Sequence, residues 1–403
     1  MDYIQRGTKE YKHTNWALFA AGFITFANLY ITQPLLPEFS KEFHISPAFA
    51  SLSLSVTTFA LAISLVIVSS LSEAWGRKRL MTISIFASSI LTLALAFSPT
   101  FETLLILRIV QGVTFAGLPA IAMAYLGEEM HPKDLGVAMG LYISGNSVGG
   151  LAGRIMMGTL TDLYSWQIGM IVIGVLSLII SAYFVVALPN SNHFVARELQ
   201  LKNLGKSLVS HLKDPAMLNL YGIGFFLMAS FVMLYNYIGF KLLTPPYSLS
   251  TTIVGWIFIV YLVGTVSSTW FGKLANTYGR RNILLIGTVL MLTGALITLN
   301  VSLIFKIAGI VIFTFGFFGS HSIASGWVSH RAKHDKAQAS SLYLFFYYFG
   351  SSVGGTAGGF FWSHFGWIGV IGLITFFLLL AIVLIRLLSL KKKIELSEWE
   401  HSN

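Results

Sequence analysis

Twelve stretches of mostly apolar residues, each about 18 to 25 long, divide this chain, and each is long enough to cross a hydrocarbon layer as a helix. They fall at 16–36, 48–71, 80–98, 104–126, 135–157, 166–188, 216–238, 251–271, 283–300, 307–327, 338–361 and 367–388. Charged residues make up only 10% of the 403, far below the roughly 25% of soluble domains. The expected fold is therefore an all-α integral membrane bundle. The first stretch contains Asn28, Tyr30, Gln33 and Pro34 where a cleavage site would need small residues, so it reads as a retained span rather than a signal peptide.

The formal charge of +10 invites a nucleic-acid reading, but the distribution of the basic residues removes it. Alternate connections, the amino terminus and the carboxyl-terminal end from Arg386 hold 21 of the 26 Lys and Arg, against three (Lys41, Lys241 and Lys306) on the opposite side. That asymmetry sets topology, with both termini expected in the cytoplasm, and the basic side faces anionic lipid. There is no cysteine, and so no disulfide or thiolate metal site. No cofactor or metal is expected. The absence of paired acids within spans, of HExxH and of a P-loop speaks against an enzyme or a nucleotide-driven pump.

The chain also repeats itself. SVGG occurs in "LYISGNSVGGLAGR" and again in "FFYYFGSSVGGTAGG", 205 positions later, and "SSLSEAWGRKRLM" is answered by "GKLANTYGRRNIL" at an offset of 203. Two independent matches at nearly one offset imply a duplicated six-helix unit, with 1–188 and 216–403 as the bundles and 189–215 as a cytoplasmic linker. The "LGKSLVSHL" part of the linker has helical apolar spacing suited to a membrane surface. Parallel repeats of this kind place a substrate site near the midplane. Gly145, Gly149 and Gly153, with Gly150 beside them, and Gly350, Gly354 and Gly358, with Gly355, fall on one helical face in each copy. Such a face serves tight packing or a flexing contact in alternating access. Arg154 follows the first copy, where it either snorkels to the outer surface or meets a substrate.

These features resemble the major facilitator superfamily, over essentially 16–388. The family pattern GxLaDrxGRkxxL is answered by Ser69, Leu71, Glu73, Gly76, Arg77, Lys78 and Met81, and in the second half by Gly272, Leu274, Gly279, Arg280 and Arg281, with Asn276 at the acid position. "RIVQG" at 108–112 fits RxxQG, whereas the antiporter pattern GPxxGG appears without its proline as Gly145 to Gly150. With "ITQPLLPEF" and "FFGSHSIASGWV", the chain is most similar to the sugar- or arabinose-efflux-like permeases within the drug:proton antiporter branch. The resemblance implies a secondary carrier for a small organic solute, proton-coupled and exporting, in a bacterial-type inner membrane, and working as a monomer. A facilitative carrier, a lipid flippase and a sensor on the same fold are the alternatives.

By that resemblance Arg108 and Gln111 support proton movement; the competing reading is that Arg108 snorkels outward. No Asp or Glu lies inside a predicted span, which leaves His321 as the titratable group well within one, as a proton carrier, a substrate contact or a helix-to-helix hydrogen bond. Glu38 is the second carrier candidate. Glu73, Arg77 and Lys78 read as a cytoplasmic gate, in which Arg77 pairs with Glu128 or Glu129. Asn28, Tyr30, Gln33, Tyr142, Tyr235, Asn236, Ser322 and Tyr347 are candidate cavity groups. Hydroxyl-rich and aromatic surfaces coexist without a buried carboxylate, favouring neutral or anionic solutes over cations.

Overall fold

The computed structural model describes residues 3–194, 201–332 and 334–401. Positions 195–200, within the expected linker, lie outside the described residues, as does Lys333. Among the described residues the chain forms fifteen α-helices and no strand. The helices are α1 (Lys9–Leu29), α2 (Leu36–Glu42), α3 (Pro47–Trp75), α4 (Arg77–Leu95), α5 (Phe101–Phe115), α6 (Pro119–Glu129), α7 (Pro132–Leu163), α8 (Trp166–Ala187), α9 (Leu201–Lys213), α10 (Pro215–Leu243), α11 (Thr251–Trp256), α12 (Leu262–Tyr278), α13 (Arg280–Ile297), α14 (Leu303–Arg331) and α15 (Lys336–His401).

Nine stretches among the described residues are long and apolar enough to cross a membrane. The last, 338–388, is bent at Gly366 (φ 59°) and counts as two passes. Two further passes complete the expected twelve. One is α5 with α6, interrupted at Ala116–Leu118 ahead of Pro119, and the other is α7, whose apolarity is diluted by its glycines, serines and Asn146. Prolines open α3, α6, α7 and α10, where a missing N–H costs nothing. Pro34 has the opposite effect on the first pass, which stops at Leu29 and resumes through a 3-10 turn at Gln33–Leu35.

The chain separates into two compact units. The first comprises 1–45, 49–199 and 242–258, and the second 46–48, 200–241 and 259–403. In the first, one apolar core gathers Leu18, Tyr125, Tyr142 and Phe184, and another gathers Phe39, Phe101, Met157 and Trp166. In the second, Phe231, Phe271, Met291, Phe313 and Phe317 are buried. Exposed apolar side chains such as Ile106, Val186, Ile304 and Ile368 cover the helix faces that meet lipid.

The repeated glycines do the same work in both units. A Cβ on Gly145 or Gly149 would fall inside the α1 backbone at Phe19 or Phe23, and one on Gly153 would lie 2.6 Å from Ala27 Cα. In the second unit a Cβ on Gly350 or Gly354 would strike the α10 backbone at Phe225 or Ala229, and one on Gly358 would meet Met233 and Tyr237. Here α7 rides on α1, and α15 on α10, backbone to backbone.

Candidate functional site

The break after Leu29 leaves helix carbonyls without intrahelical donors, and a buried arginine supplies them. Arg108 on α5 is fully buried and donates to Asn28 O at 3.1 Å, Leu29 O at 2.7 Å, Ser53 O at 2.8 Å and Gln111 Oε1 at 2.5 Å. It does not snorkel; burial overturns that reading. Its positive charge lies at a helix carboxyl end, where the backbone dipole is negative. Gln111 Nε2 in turn donates to Ser88 O and Thr92 Oγ1, at 3.0 and 2.7 Å. The Thr92 hydroxyl donates to Asn28 Oδ1, and Asn28 Nδ2 donates to Ser177 Oγ and Ile24 O. Asn28, a candidate cavity group, thus spends its side chain holding α1, α4 and α8 together.

A second guanidinium lies in the same unit. Arg154 on α7 is only 2% exposed, so its expected snorkelling is also corrected. Its Nε donates to Gln33 Oε1 at 2.7 Å and its Nη1 to Gly150 O. The rings of Tyr30 and Phe258 lie 4.2 and 4.8 Å from its carbon. Gly150 keeps the space clear, since a Cβ there would approach Nη1 to 3.3 Å. Tyr142 is buried beneath the α1–α7 contact.

In the second unit His321 joins α14 to α15: Nδ1 is 2.9 Å from the Tyr343 hydroxyl. Its ring stacks on Phe317 and lies 4.6 Å from the Tyr347 ring, while Phe317 stacks on Phe231 at 3.8 Å. Beside this column the Tyr235 hydroxyl is 2.7 Å from Thr314 Oγ1. Asn236 is buried, and Ser322 is half-buried next to His321. Tyr343 escaped the sequence reading, although its spacing of four from Tyr347 places both on the His321 side of α15. An apolar groove lined by Trp270, Phe271, Leu290 and Phe315 offers no polar group to a solute.

The glycine-arginine motifs lie at helix junctions. Gly76 and Gly279 adopt φ of 92° and 83°, a region that L side chains avoid, and turn α3 into α4 and α12 into α13. Arg77 grips Glu128 through two bonds, at 2.7 and 3.2 Å, and also donates to Ser72 Oγ. Glu129 instead accepts from His193 N–H at 2.8 Å and its carboxylate lies 3.0 Å from the His193 ring nitrogen. Lys78 reaches Leu188 O and Asn190. Glu73 is exposed. Arg280 and Arg281 are half-buried, and no ion pair of theirs occurs among the described residues.

Glu38 stands apart from these groups, half-buried on α2. One turn later Glu42 accepts from Trp166 Nε1 and, at 3.2 Å, from Gln167. Lys306 also escaped notice as a loop lysine: it is buried in the first turn of α14, donating to Thr298 O, which also accepts from Trp367 Nε1 at 3.1 Å.

Comparison with known proteins agrees with this architecture. The sequence profile of the Major Facilitator Superfamily matches residues 18–247 and again 236–400. The MFS-type transporter YybF of Bacillus subtilis (strain 168) is 56% identical, covering 95% of each chain. The inner membrane transport protein YnfM of Escherichia coli (strain K12) is 44% identical over 94% of this chain and 91% of its own. Among solved structures, the nucleoside transporter NupG superimposes with a TM-score of 0.73 at 16% identity, covering 93% of this chain and 99% of that one.

Proposed function

Since this chain belongs to the major facilitator superfamily and is a membrane transporter of that type, we propose that it moves a small organic solute by alternating access, coupled to protons and in the outward direction. The observation that carries this reading is the pair of matched helix contacts, α7 on α1 and α15 on α10, in which glycines bring backbone against backbone. Helices locked this closely move as one body, and alternating access requires bundles that rock without melting. Export is supported by the likeness of its motifs to the drug:proton antiporters. The Lys and Arg asymmetry supports a multi-pass inner-membrane location with both termini in the cytoplasm. Monomeric function and contact with anionic lipid belong to the same reading.

His321 is the proposed proton carrier, held by Tyr343 and backed by Phe317. Arg77 and Glu128, with Lys78 beside them, are the proposed cytoplasmic gate. Purified protein in liposomes with a luminal pH dye tests the coupling against sugars, organic anions and dyes. A substrate-dependent pH change that His321→Ala abolishes is the expected result. Solute movement with no pH change would replace coupling by facilitation, a second reading favoured by the lack of any Asp or Glu inside the predicted spans.

A further inference from the structure

Why one glycine string ends in Arg154 and its repeat in Gly359 has a structural answer. A Cβ at Gly359 would run into Ala48 Cα and the Tyr237 hydroxyl, so the second copy has no room for a side chain there. The backbone contact is with α3 and not with α10, so position 359 tolerates no side chain, whereas position 154 carries a guanidinium that the glycine packing of α7 on α1 does not use. A guanidinium within a membrane span is costly to insert, which calls for a use.

We propose that Arg154 recognises the carboxylate of a small organic anion, with Tyr30 and Phe258 as the plates that hold its plane and Gln33 as the neutral group the carboxylate displaces. This rests on the transporter reading and names its solute class. The rings at 4.2 and 4.8 Å cover the guanidinium, so recognition runs through its N–H edges. A planar fork between two rings matches a planar, bidentate acceptor. Two of its acceptors, Gln33 Oε1 and Gly150 O, are uncharged, and a carboxylate makes hydrogen bonds to arginine roughly twice as strong as neutral ones. Arg108 adds a second positive charge to the same unit, and no acid lies inside its predicted spans. That field attracts anions and repels cations.

Counterflow in liposomes carrying the full-length protein tests this, with labelled benzoate, succinate and glucuronate set against arabinose and tetraphenylphosphonium. At least one carboxylate is expected to exchange. Arg154→Gln should then weaken its half-saturation by about tenfold or more, the loss of a charged hydrogen-bond partner, and Arg154→Lys should recover part of it. Gln33→Ala provides the opposite sign: with the competitor gone the carboxylate binds more tightly, whereas a merely structural Gln33–Arg154 pair would give weaker binding or none. Should Arg154→Gln not fold, this variant alone decides. Exchange of arabinose or tetraphenylphosphonium without any carboxylate overturns the anion assignment and leaves the transporter standing. Silence from the carboxylates overturns it equally, and silence from all five probes counts against the transporter reading as well.

Discussion

Arg108 donates to the backbone carbonyl of Leu29 across 2.7 Å, so a fully buried guanidinium closes the carboxyl end of a helix that stops inside its bundle. Three further acceptors, Asn28 O, Ser53 O and Gln111 Oε1, bond to the same side chain.

Arg108→Ala should accordingly destabilise the protein by roughly 1 to 3 kcal/mol, the cost of leaving buried acceptors without their donor. Thermal unfolding in detergent measures it. Arg108→Ala that unfolds like the parent but no longer transports would move Arg108 from cap to proton path.

Gly149→Ala and Gly354→Ala should each cost roughly 2 kcal/mol or more, because the new methyl overlaps the backbone of Phe23 or Ala229. Gly140 on the same α7 has nothing within 4 Å of its added Cβ, and Gly140→Ala should instead stabilise by up to about 1 kcal/mol through helix propensity. Equal thermal stability of all three variants would contradict the close packing.

Breaking the Arg77–Glu128 pair should shift conformers rather than unfold the chain. The two side chains are 10% and 31% exposed, so Glu128→Gln should change the balance by about 1 kcal/mol, some fivefold in population. With no native cysteine in the sequence, single introduced cysteines at both ends of α7 report the shift by labelling rate. Unchanged rates would remove the pair from the gate.

Acid should loosen α10 and α14 at their shared end. Asp214, just before α10, has its carboxyl pushed up by burial, but the hydrogen bonds from Arg331 and from the Ala216 and Met217 amides, with the Arg331 charge, hold it below the ordinary carboxylate value. A depressed carboxylate contributes stability that is complete above its unfolded value, about 3.9, and is lost as pH falls through the lower folded one. His211, His334 and Asp335 neighbour this end as well. Asp214→Asn should lower the stability at pH 7, by no more than about 1 kcal/mol for so solvent-facing a pair, and should flatten its dependence below pH 5. An unaltered pH profile in the variant would refute the assignment.

Much of this was legible in the residues. Apolar run lengths determined helices that cross a membrane, because a backbone in lipid must satisfy its own hydrogen bonds, and two recurrent strings at nearly one offset determined a duplicated bundle with matching glycine faces. What the sequence could not tell was where a long side chain goes. Arg108 and Arg154 looked able to reach water, and only the tertiary structure showed the carbonyls of Asn28 and Leu29 and the paired rings of Tyr30 and Phe258 that hold them inside. Likewise Asn28 was a cavity group by composition and became a tie among three helices by position. Spacing along one helix fixes which face a residue occupies, whereas the partner waiting there is supplied by residues 80 or 121 positions away and exists only once the bundle has closed.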